Sequence, residues 1–188
     1  MAESAEQARL AEMESLGDAT QLAGRIHALI EYSPLFENFN LAEIEALSRF
    51  MLVFRAEPGL EIIREGEPGD LMILLIEGKV EVFKQDRRDA PRLIAVIAPG
   101  QSFGEMSMID GEPRFASCVA AESSLIAVLS RENLARIILE QPSLGAKILM
   151  ELALMLSQRL RHTSSRLMAY MDREVDWPGE SPQNLSDD

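Results

Sequence analysis

Residues 103–119 read Phe-Gly-Glu-Met-Ser-Met-Ile-Asp-Gly-Glu-Pro-Arg-Phe-Ala-Ser-Cys-Val. Gly104 has no side chain, so another molecule can approach the backbone closely there. Glu105 is an acceptor when ionised and suits a hydroxyl or an amine. Residues 106–110 allow one or two helical turns, and a helix N-terminus favours an anion. Because Arg114 can direct two donors to one phosphate, the stretch predicts a site for a phosphate beside a hydroxyl, as in a ribose phosphate.

This segment resembles the phosphate-binding cassette of the cyclic nucleotide-binding domain family, whose pattern is roughly F-G-E-[L/M/I]-[A/S/G]-L…P-R-x-A. The resemblance implies that Glu105 binds the ribose 2′-hydroxyl and that Arg114 binds the cyclic phosphate. It also implies that the backbone amides near Met106 and Ser107 assist Arg114. The remaining residues of the predicted ligand-binding set are Phe103, Gly104, Phe115, Ala116, Ser117 and Leu74.

Phe115 departs from the family pattern, which has a small residue, Ser or Thr after the cassette arginine. Its ring either stacks near the base or crowds the phosphate, and both interpretations stay open. The absence of the Thr that is common in guanine-preferring relatives favours cyclic AMP over cyclic GMP. Ser117 offers a hydroxyl to phosphate or base. The residue that covers the base is not identified, and the candidates are Leu156, Leu160 and Tyr170.

Short apolar runs divided by turn residues fill the region from Met51 to Leu129, which predicts antiparallel strands. Eight strands favour a jelly-roll (double-stranded β-helix) barrel, within an α+β fold that has helices at both ends. The predicted strands are Met51–Phe54, Glu61–Arg64, Leu71–Ile76, Lys79–Gln85, Arg92–Ile97, Ser102–Phe103, Ser117–Ala120 and Leu125–Leu129.

The segment Leu71–Ile76 is apolar on both faces, which predicts a buried central strand. It lies within the pattern G-x-x-G-D-x-x-x-x-L-x-x-G-x-V-x-V that runs from Gly66 to Val82. This pattern is the second one that resembles the family, and it supports the fold. Leu74 and its strand neighbours are expected to form the floor of the ligand pocket.

The N-terminal part of the chain shows helical spacing of apolar residues from about Ala5 to Tyr32. Because Gly17 and Gly24 weaken a single long helix, we expect two helices, the first packed loosely or used as a partner surface. A further helix is expected over Leu41–Arg49, with Asn40 as its N-cap.

Two helices are expected after the strands, one over Arg131–Glu140 with Ser130 as N-cap and a longer one over Leu144–Met171. Apolar residues in the longer helix advance by threes and fours, which indicates a coiled-coil-like seam and a homodimer. An equally open interpretation for its first half is a stripe that packs on the protein's own barrel. The seam residues are Leu149, Leu152, Leu156, Leu160, Thr163, Leu167 and Tyr170.

These patterns divide the chain into an N-terminal helical extension (1–32), a nucleotide-binding-like barrel with short helices (33–140), a long helix (141–173) and a disordered acidic tail (174–188). About fifteen polar residues after the long helix cannot form the helix-turn-helix module of bacterial transcription factors that share the fold. The net charge of −13 and the pI near 4.6 also argue against a nucleic-acid surface, so no DNA partner is expected.

Composition sets further limits. No run approaches the ~18–20 apolar residues of a membrane-spanning helix, and the acidic start lacks a signal-peptide pattern, so a soluble cytoplasmic protein is expected. Cys118 is expected to be a buried structural thiol. His27 and His162 lack neighbours at metal-ligand spacing, and the barrel region contains no histidine. A cupin-like metal enzyme is therefore excluded, and no catalysis, metal or cofactor is expected.

The resulting hypothesis is a cyclic nucleotide sensor that is not an enzyme. Ligand enters the barrel, neutralises Arg114, shifts the short cassette helix and repositions the helices after Ser130, and a partner protein detects the change. Two alternatives stay open. The chain is a ligand-free scaffold or interaction module that dimerises through its long helix, or its site binds another nucleotide such as a cyclic dinucleotide.

Overall fold

The strands form two antiparallel sheets in the computed structural model, which describes residues 5–29, 32–33 and 35–174. The strands are β1 (Glu14–Asp18), β2 (Leu52–Ala56), β3 (Glu61–Ile63), β4 (Leu71–Glu77), β5 (Val80–Gln85), β6 (Pro91–Ile97), β7 (Ser102–Phe103), β8 (Ser117–Ala120) and β9 (Ser124–Ser130). One sheet has the order β1-β2-β9-β4-β7, and the other has the order β3-β8-β5-β6.

Apolar side chains from both sheets pack into one core. Ile73 on β4 and Val128 on β9 come from the first sheet, and Val80 on β5 and Cys118 on β8 come from the second. The jelly-roll fold and its eight strands between residues 51 and 130 are thereby confirmed. The difference from the prediction is that, within the described ranges, no hydrogen-bonded ladder joins the two sheets into a closed barrel.

The central position of β4 is also confirmed. It pairs with β9 on one side and β7 on the other, and residues 71–76 are all buried. The alternation of side chains along a strand places Leu71, Ile73 and Leu75 in the core between the sheets. Met72 and Leu74 lie on the opposite face of the strand and are buried as well.

The prediction of helix from Ala5 to Tyr32 is wrong in its middle. The described segment contains α1 (Ala5–Ala11), strand β1, a 3₁₀ helix (Ala19–Leu22) and α2 (Ala23–Ala28). Strand β1 pairs antiparallel with β2, with a register irregularity between Ser15 and Asp18. Ser, Gly and Asp are weak helix formers, so pairing with an available sheet edge outweighs the helical spacing of the apolar residues.

The helices predicted on either side of the strands are confirmed. Helix α3 (Leu41–Ser48) begins with a capping box in which Asn40 Oδ1 accepts from the Glu43 N–H at 3.0 Å, and Glu43 accepts from the Asn40 N–H at 2.9 Å. Helix α4 covers Glu105–Asp110, and α5 covers Arg131–Glu140 with the Ser130 hydroxyl as its cap.

Helix α6 (Pro142–Glu174) begins with proline, as is common at a first helical position, and its residues fall into two units. In the unit that ends at Leu152, the buried α6 side chains are Leu144, Ile148, Glu151 and Leu152. This burial favours packing on the protein's own domain for the first part of the helix, whereas the predicted seam residue Leu149 is exposed.

In the unit that begins at Ala153, Leu160, Leu167 and Tyr170 are exposed. The predicted tail from residue 175 onward lies outside the described residues, and the predicted domain boundaries stay predictions. Across the described ranges, no helix combines the length and apolarity needed to cross a membrane.

Candidate functional site

The cassette begins where β7 ends. Phe103 is buried in the core opposite Ile73, and Gly104 follows with a φ of 80° at the N-cap of α4. Glycine adopts this left-handed conformation without steric cost. Glu105 and Ser107 are buried, whereas Met106 is exposed. The turn at Gly104 therefore directs the first carboxylate of α4 into the protein.

Arg114 is buried, with 3% of its surface exposed. Its Nη1 donates to the Gly104 carbonyl, and its Nη2 donates to the Leu71 carbonyl at 2.9 Å. The Arg114 N–H donates to the Glu67 carbonyl at 2.8 Å. These bonds bring together three sequence-distant segments, namely the start of the cassette, its arginine and the loop between β3 and β4. The cassette residues Gly104 and Arg114 thus meet as the sequence suggested.

Gly69 makes the position of the guanidinium possible. A Cβ atom on Gly69 would lie 1.9 Å from Arg114 Nε and 2.4 Å from Cζ. Only glycine can therefore sit at this point of the β3–β4 loop without displacing the arginine. The glycine pattern around Gly69 predicted the fold alone, and nothing in it indicated this contribution to the site.

The residues after Arg114 alternate between buried and exposed positions. Ala116 and Cys118 are buried, like Arg114 itself. Phe115 is 57% exposed, and Lys84 Nζ lies 4.6 Å from the centroid of its ring. The structure therefore places the Phe115 ring on the solvent side of the segment, beside a cation, rather than with the buried guanidinium.

The structure does not bring Ser117 to the guanidinium. Its hydroxyl accepts from the Glu65 N–H at 3.0 Å, and the side chain lines an outer cleft of about 330 Å³ with Phe83 and Val119. Adjacent strand residues face opposite sides of a sheet, and the next residue, Cys118, belongs to the core. The Ser117 hydroxyl thus lies on the face of β8 opposite the core, and its contact with the phosphate or base stays a prediction.

Leu74 is also placed differently from the expectation. It is fully buried on the face of β4 opposite Leu71 and Ile73, so it does not form the floor of a pocket between the sheets. Leu71 is the strand residue that reaches Arg114, through its carbonyl. The candidates for covering the base, Leu156, Leu160 and Tyr170, belong to the second unit and stay predictions.

Glu6 is the acidic partner of Arg114, a role that no sequence pattern predicted. Arg114 Nε donates to Glu6 Oε1 at 2.9 Å, and Nη2 donates to the same oxygen. The Asp70 N–H donates to Glu6 Oε2 at 3.3 Å. The two side chains are 2% and 3% exposed, so the pair is closed to solvent. Nothing local in the sequence connects a glutamate with an arginine 108 residues away.

Burial shifts the pKa values of two groups at the site, Glu6 and Cys118. Burial raises the pKa of Glu6, and the charge and hydrogen bonds of Arg114 oppose that rise. Burial also raises the pKa of the Cys118 thiol to about 12; the Arg114 charge opposes this shift and the Glu105 charge reinforces it. Cys118 is therefore a protonated, buried thiol near neutral pH, as the sequence indicated.

Arg131 connects the site with α5. Its N–H donates to the Asp70 carbonyl at 2.8 Å, and its Nη2 donates to the Ser107 carbonyl at 2.6 Å. Asp70 also contacts Glu6, and Ser107 lies in α4. The first residue of α5 is thus bonded both to the loop around Arg114 and to the cassette helix.

The chain is similar to proteins of known family and structure. Residues 53–141 match the family model described as cyclic nucleotide-binding domain. The crystal structure of a cyclic nucleotide-binding domain from Methylobacillus flagellatus KT is 34% identical, with a TM-score of 0.77 over 90% of this chain and 92% of that one.

Two relatives are longer than this chain. The cyclic AMP receptor protein of Thermus thermophilus is 34% identical over 72% of this chain and 61% of its own length. The cAMP-dependent protein kinase regulatory subunit of Aspergillus fumigatus is 31% identical over 65% of this chain and 29% of its own length. The chain therefore spans less than two thirds of either relative.

We expect Gly69→Ala to lower the free energy of unfolding by about 1–3 kcal/mol, because the added methyl group must displace a buried, hydrogen-bonded guanidinium. Urea unfolding followed by circular dichroism measures the change. Gly24→Ala in α2 is the matched control, since a Cβ there meets nothing within 4 Å and alanine is favourable in a helix. Equal stability of Gly69→Ala and the wild type would show that the guanidinium position is not constrained.

Proposed function

Because the chain belongs to the cyclic nucleotide-binding domain family, we propose that it is a sensor that binds a cyclic mononucleotide, cyclic AMP in preference to cyclic GMP, and signals occupancy to a partner protein. The observation on which the proposal depends is the guanidinium of Arg114, buried at the cassette position and oriented by the carbonyls of Gly104 and Leu71. A Thermus thermophilus relative described as a cyclic AMP receptor protein supports cyclic AMP as the ligand.

The proposed roles follow from the chemistry of each group. The Nε and Nη2 edge of Arg114 binds two phosphate oxygens, because a guanidinium presents parallel donors at that spacing. Glu105 accepts from the ribose 2′-hydroxyl, and the amides near Met106 and Ser107 complete the phosphate contacts. Glu105, Met106 and Ser107 directly follow Gly104, and the Gly104 carbonyl accepts a hydrogen bond from Arg114.

Catalysis is not part of the proposal. The two relatives are described as a receptor protein and a kinase regulatory subunit, which are regulatory rather than catalytic components. The binding free energy of the nucleotide instead biases two arrangements of the helices that follow the site.

The proposed route of that signal is Arg131. Ligand-induced movement of α4 displaces the Ser107 carbonyl, and movement of the β3–β4 loop displaces the Asp70 carbonyl. Because Arg131 is bonded to both carbonyls, either movement acts on the first turn of α5.

The proposed oligomeric state is a homodimer formed by the second part of α6. In the unit that begins at Ala153, the seam positions Leu160, Leu167 and Tyr170 are exposed. Large apolar side chains repeated at this spacing on one helix face are typical of a helix that pairs with another copy.

The first test is isothermal titration calorimetry with cyclic AMP, cyclic GMP and linear AMP. We expect saturable binding, strongest for cyclic AMP, and an affinity lower by roughly 1.5–3 kcal/mol in Arg114→Lys, because lysine keeps the charge but cannot form two parallel hydrogen bonds.

Arg136→Lys is the matched control for Arg114→Lys. Arg136 is exposed on α5, and its replacement should leave the dissociation constant unchanged. An unchanged dissociation constant in Arg114→Lys would contradict the role of the guanidinium. No heat from either cyclic mononucleotide at millimolar concentration, with the protein folded, would favour the scaffold; a titration with cyclic dinucleotides would then examine that alternative.

For the signal route, we expect Arg131→Met to bind cyclic AMP with a dissociation constant within about threefold of the wild type but to show a smaller ligand-induced change in hydrogen exchange of α5. The methionine keeps much of the side-chain volume and removes the side-chain donor to the Ser107 carbonyl, whereas the backbone N–H bond to the Asp70 carbonyl stays. Arg136→Met on the same helix should retain that change. A wild-type exchange response in Arg131→Met would exclude the part of this route that passes from the Ser107 carbonyl to the guanidinium.

For the dimer, we expect sedimentation equilibrium of the wild type to give twice the mass of one chain. The double variant Leu160→Glu and Leu167→Glu should give the mass of the monomer, because buried like charges oppose pairing. The control carries Gln158→Glu and Ser165→Glu, which change the charge equally at positions away from the seam. A monomeric wild type would rule out the proposed state.

A further inference from the structure

The geometry points to helix α1 as an internal ligand of the nucleotide site. We propose that the Glu6 carboxylate holds the position of the cyclic phosphate, so that α1 must leave its place before a nucleotide binds. The inference rests on the proposed function and adds a regulatory step to it. The donors in question, Arg114 Nε, Arg114 Nη2 and the Asp70 N–H, are called here the anion subsite.

The anion subsite is already occupied by an anion. Glu6 Oε1 accepts from Nε at 2.9 Å and also from Nη2, and Glu6 Oε2 accepts from the Asp70 N–H at 3.3 Å. A carboxylate and a phosphate both present oxygen acceptors to the edge of a guanidinium. Glu6 therefore makes the kind of contact that the phosphate of a nucleotide would make.

The guanidinium has too few remaining donors to serve both anions. An arginine side chain carries five N–H groups in a fixed plane, and four hydrogen bonds are formed here. Two of them go to the carbonyls of Gly104 and Leu71, and two go to Glu6. A phosphate that binds through two parallel hydrogen bonds must therefore replace Glu6.

The burial of the Glu6–Arg114 pair leads to the same conclusion. The side chains of Glu6 and Arg114 are 3% and 2% exposed, so solvent does not reach the pair while α1 is in place. A ligand with a sugar and a base attached to its phosphate is far larger than a water molecule. Competition between Glu6 and the nucleotide is thus steric as well as electrostatic.

Two further side chains of α1 contact the rest of the protein. In addition to Glu6, Arg9 forms an ion pair with Glu67, and Leu10 packs partly buried against the core. Helix α1 has seven residues, and a helix of that length is marginal in water without tertiary contacts. Its helical state therefore depends on its tertiary contacts, and those of Glu6 are the ones that the nucleotide would replace.

The chain also provides an anchor from which α1 can move. Met13 is buried in the core, and β1 is paired with β2 immediately afterwards. When α1 detaches, the segment up to residue 11 is released while residues from 13 onward stay attached. Glu6 then remains a tethered competitor with a high effective concentration.

The energetic balance allows exchange. Removing a carboxylate and a guanidinium from water is costly, and their mutual attraction offsets much of that cost only while both are paired. A cyclic phosphate restores the pairing of Arg114 when Glu6 leaves, so the arginine is not left as an isolated buried charge. The apparent association constant of the nucleotide is then the intrinsic constant multiplied by the fraction of molecules in which α1 is detached.

The test measures cyclic AMP affinity by calorimetry in the full chain. Glu6→Gln keeps the shape of the side chain and removes its charge, so α1 detaches more readily and the dissociation constant should fall by roughly tenfold or more. Glu12→Gln is the matched control, because Glu12 is exposed just after α1 and its replacement changes the net charge equally. Its dissociation constant should equal that of the wild type.

Arg9→Gln separates detachment of α1 from simple electrostatics. This variant breaks the ion pair with Glu67 and removes a positive charge, so a purely electrostatic effect would weaken the binding of an anion. Detachment of α1 instead strengthens binding, and we expect a dissociation constant several-fold lower than in the wild type. Weaker or unchanged binding in Arg9→Gln would overturn the inference.

A second readout follows α1 directly. Saturating cyclic AMP should increase the hydrogen exchange of residues 5–11 while it decreases exchange in residues 104–110. Binding with equal dissociation constants in the wild type and Glu6→Gln, together with unchanged exchange in residues 5–11, would refute the internal ligand and leave the sensor intact. No binding by the wild type or by any of these folded variants would instead refute the sensor, and the inference with it.

Discussion

The guanidinium of Arg114 needs a hydrogen-bonding partner for each buried donor, and much of the site is arranged around that requirement. An unpaired charge in a protein interior is strongly destabilising, so its neighbours must supply acceptors. The carbonyls of Gly104 and Leu71 supply two of them, and Glu6 supplies the acidic partner. Gly69 contributes by the absence of a side chain. One charged group thus determines the local chemistry of three separate segments, namely α1, residues 69–71 and the turn at Gly104.

The acidic partner is the exchangeable part of this arrangement. The two carbonyls belong to strand β4 and to the turn before α4, which are integral to the core. Glu6 belongs to a seven-residue helix whose other contacts include the Arg9–Glu67 ion pair and the partly buried Leu10. A site whose counter-ion lies on a weakly held segment has its affinity set by the attachment of that segment as much as by direct contacts to the ligand. Arg131, the first residue of α5, is bonded to both the β3–β4 loop and α4. Replacement of Glu6 by a nucleotide would therefore also affect α5.

Sequence reasoning succeeded where the information is local. The eight strands between residues 51 and 130, the caps at Asn40 and Ser130 and the helix that begins at the cassette follow from side-chain periodicity, turn residues and short-range hydrogen bonds. It failed in the segment around β1, because strand formation there depends on the free edge of β2, which no local pattern reveals. The faces on which Leu74 and Ser117 lie were not predicted for a related reason, since a strand pattern does not say which face meets the ligand.

The amino-acid sequence by itself therefore determined the family, the order of the strands along the chain and the short helix that follows Gly104. These depend on residue types at short, fixed spacings. The tertiary structure alone decided that the partner of Arg114 is Glu6, that Gly69 makes room for the guanidinium and that Phe115 faces solvent. The physical reason is that a buried charge is satisfied by whatever acceptor the fold brings within reach, and here that acceptor lies 108 residues away in the chain.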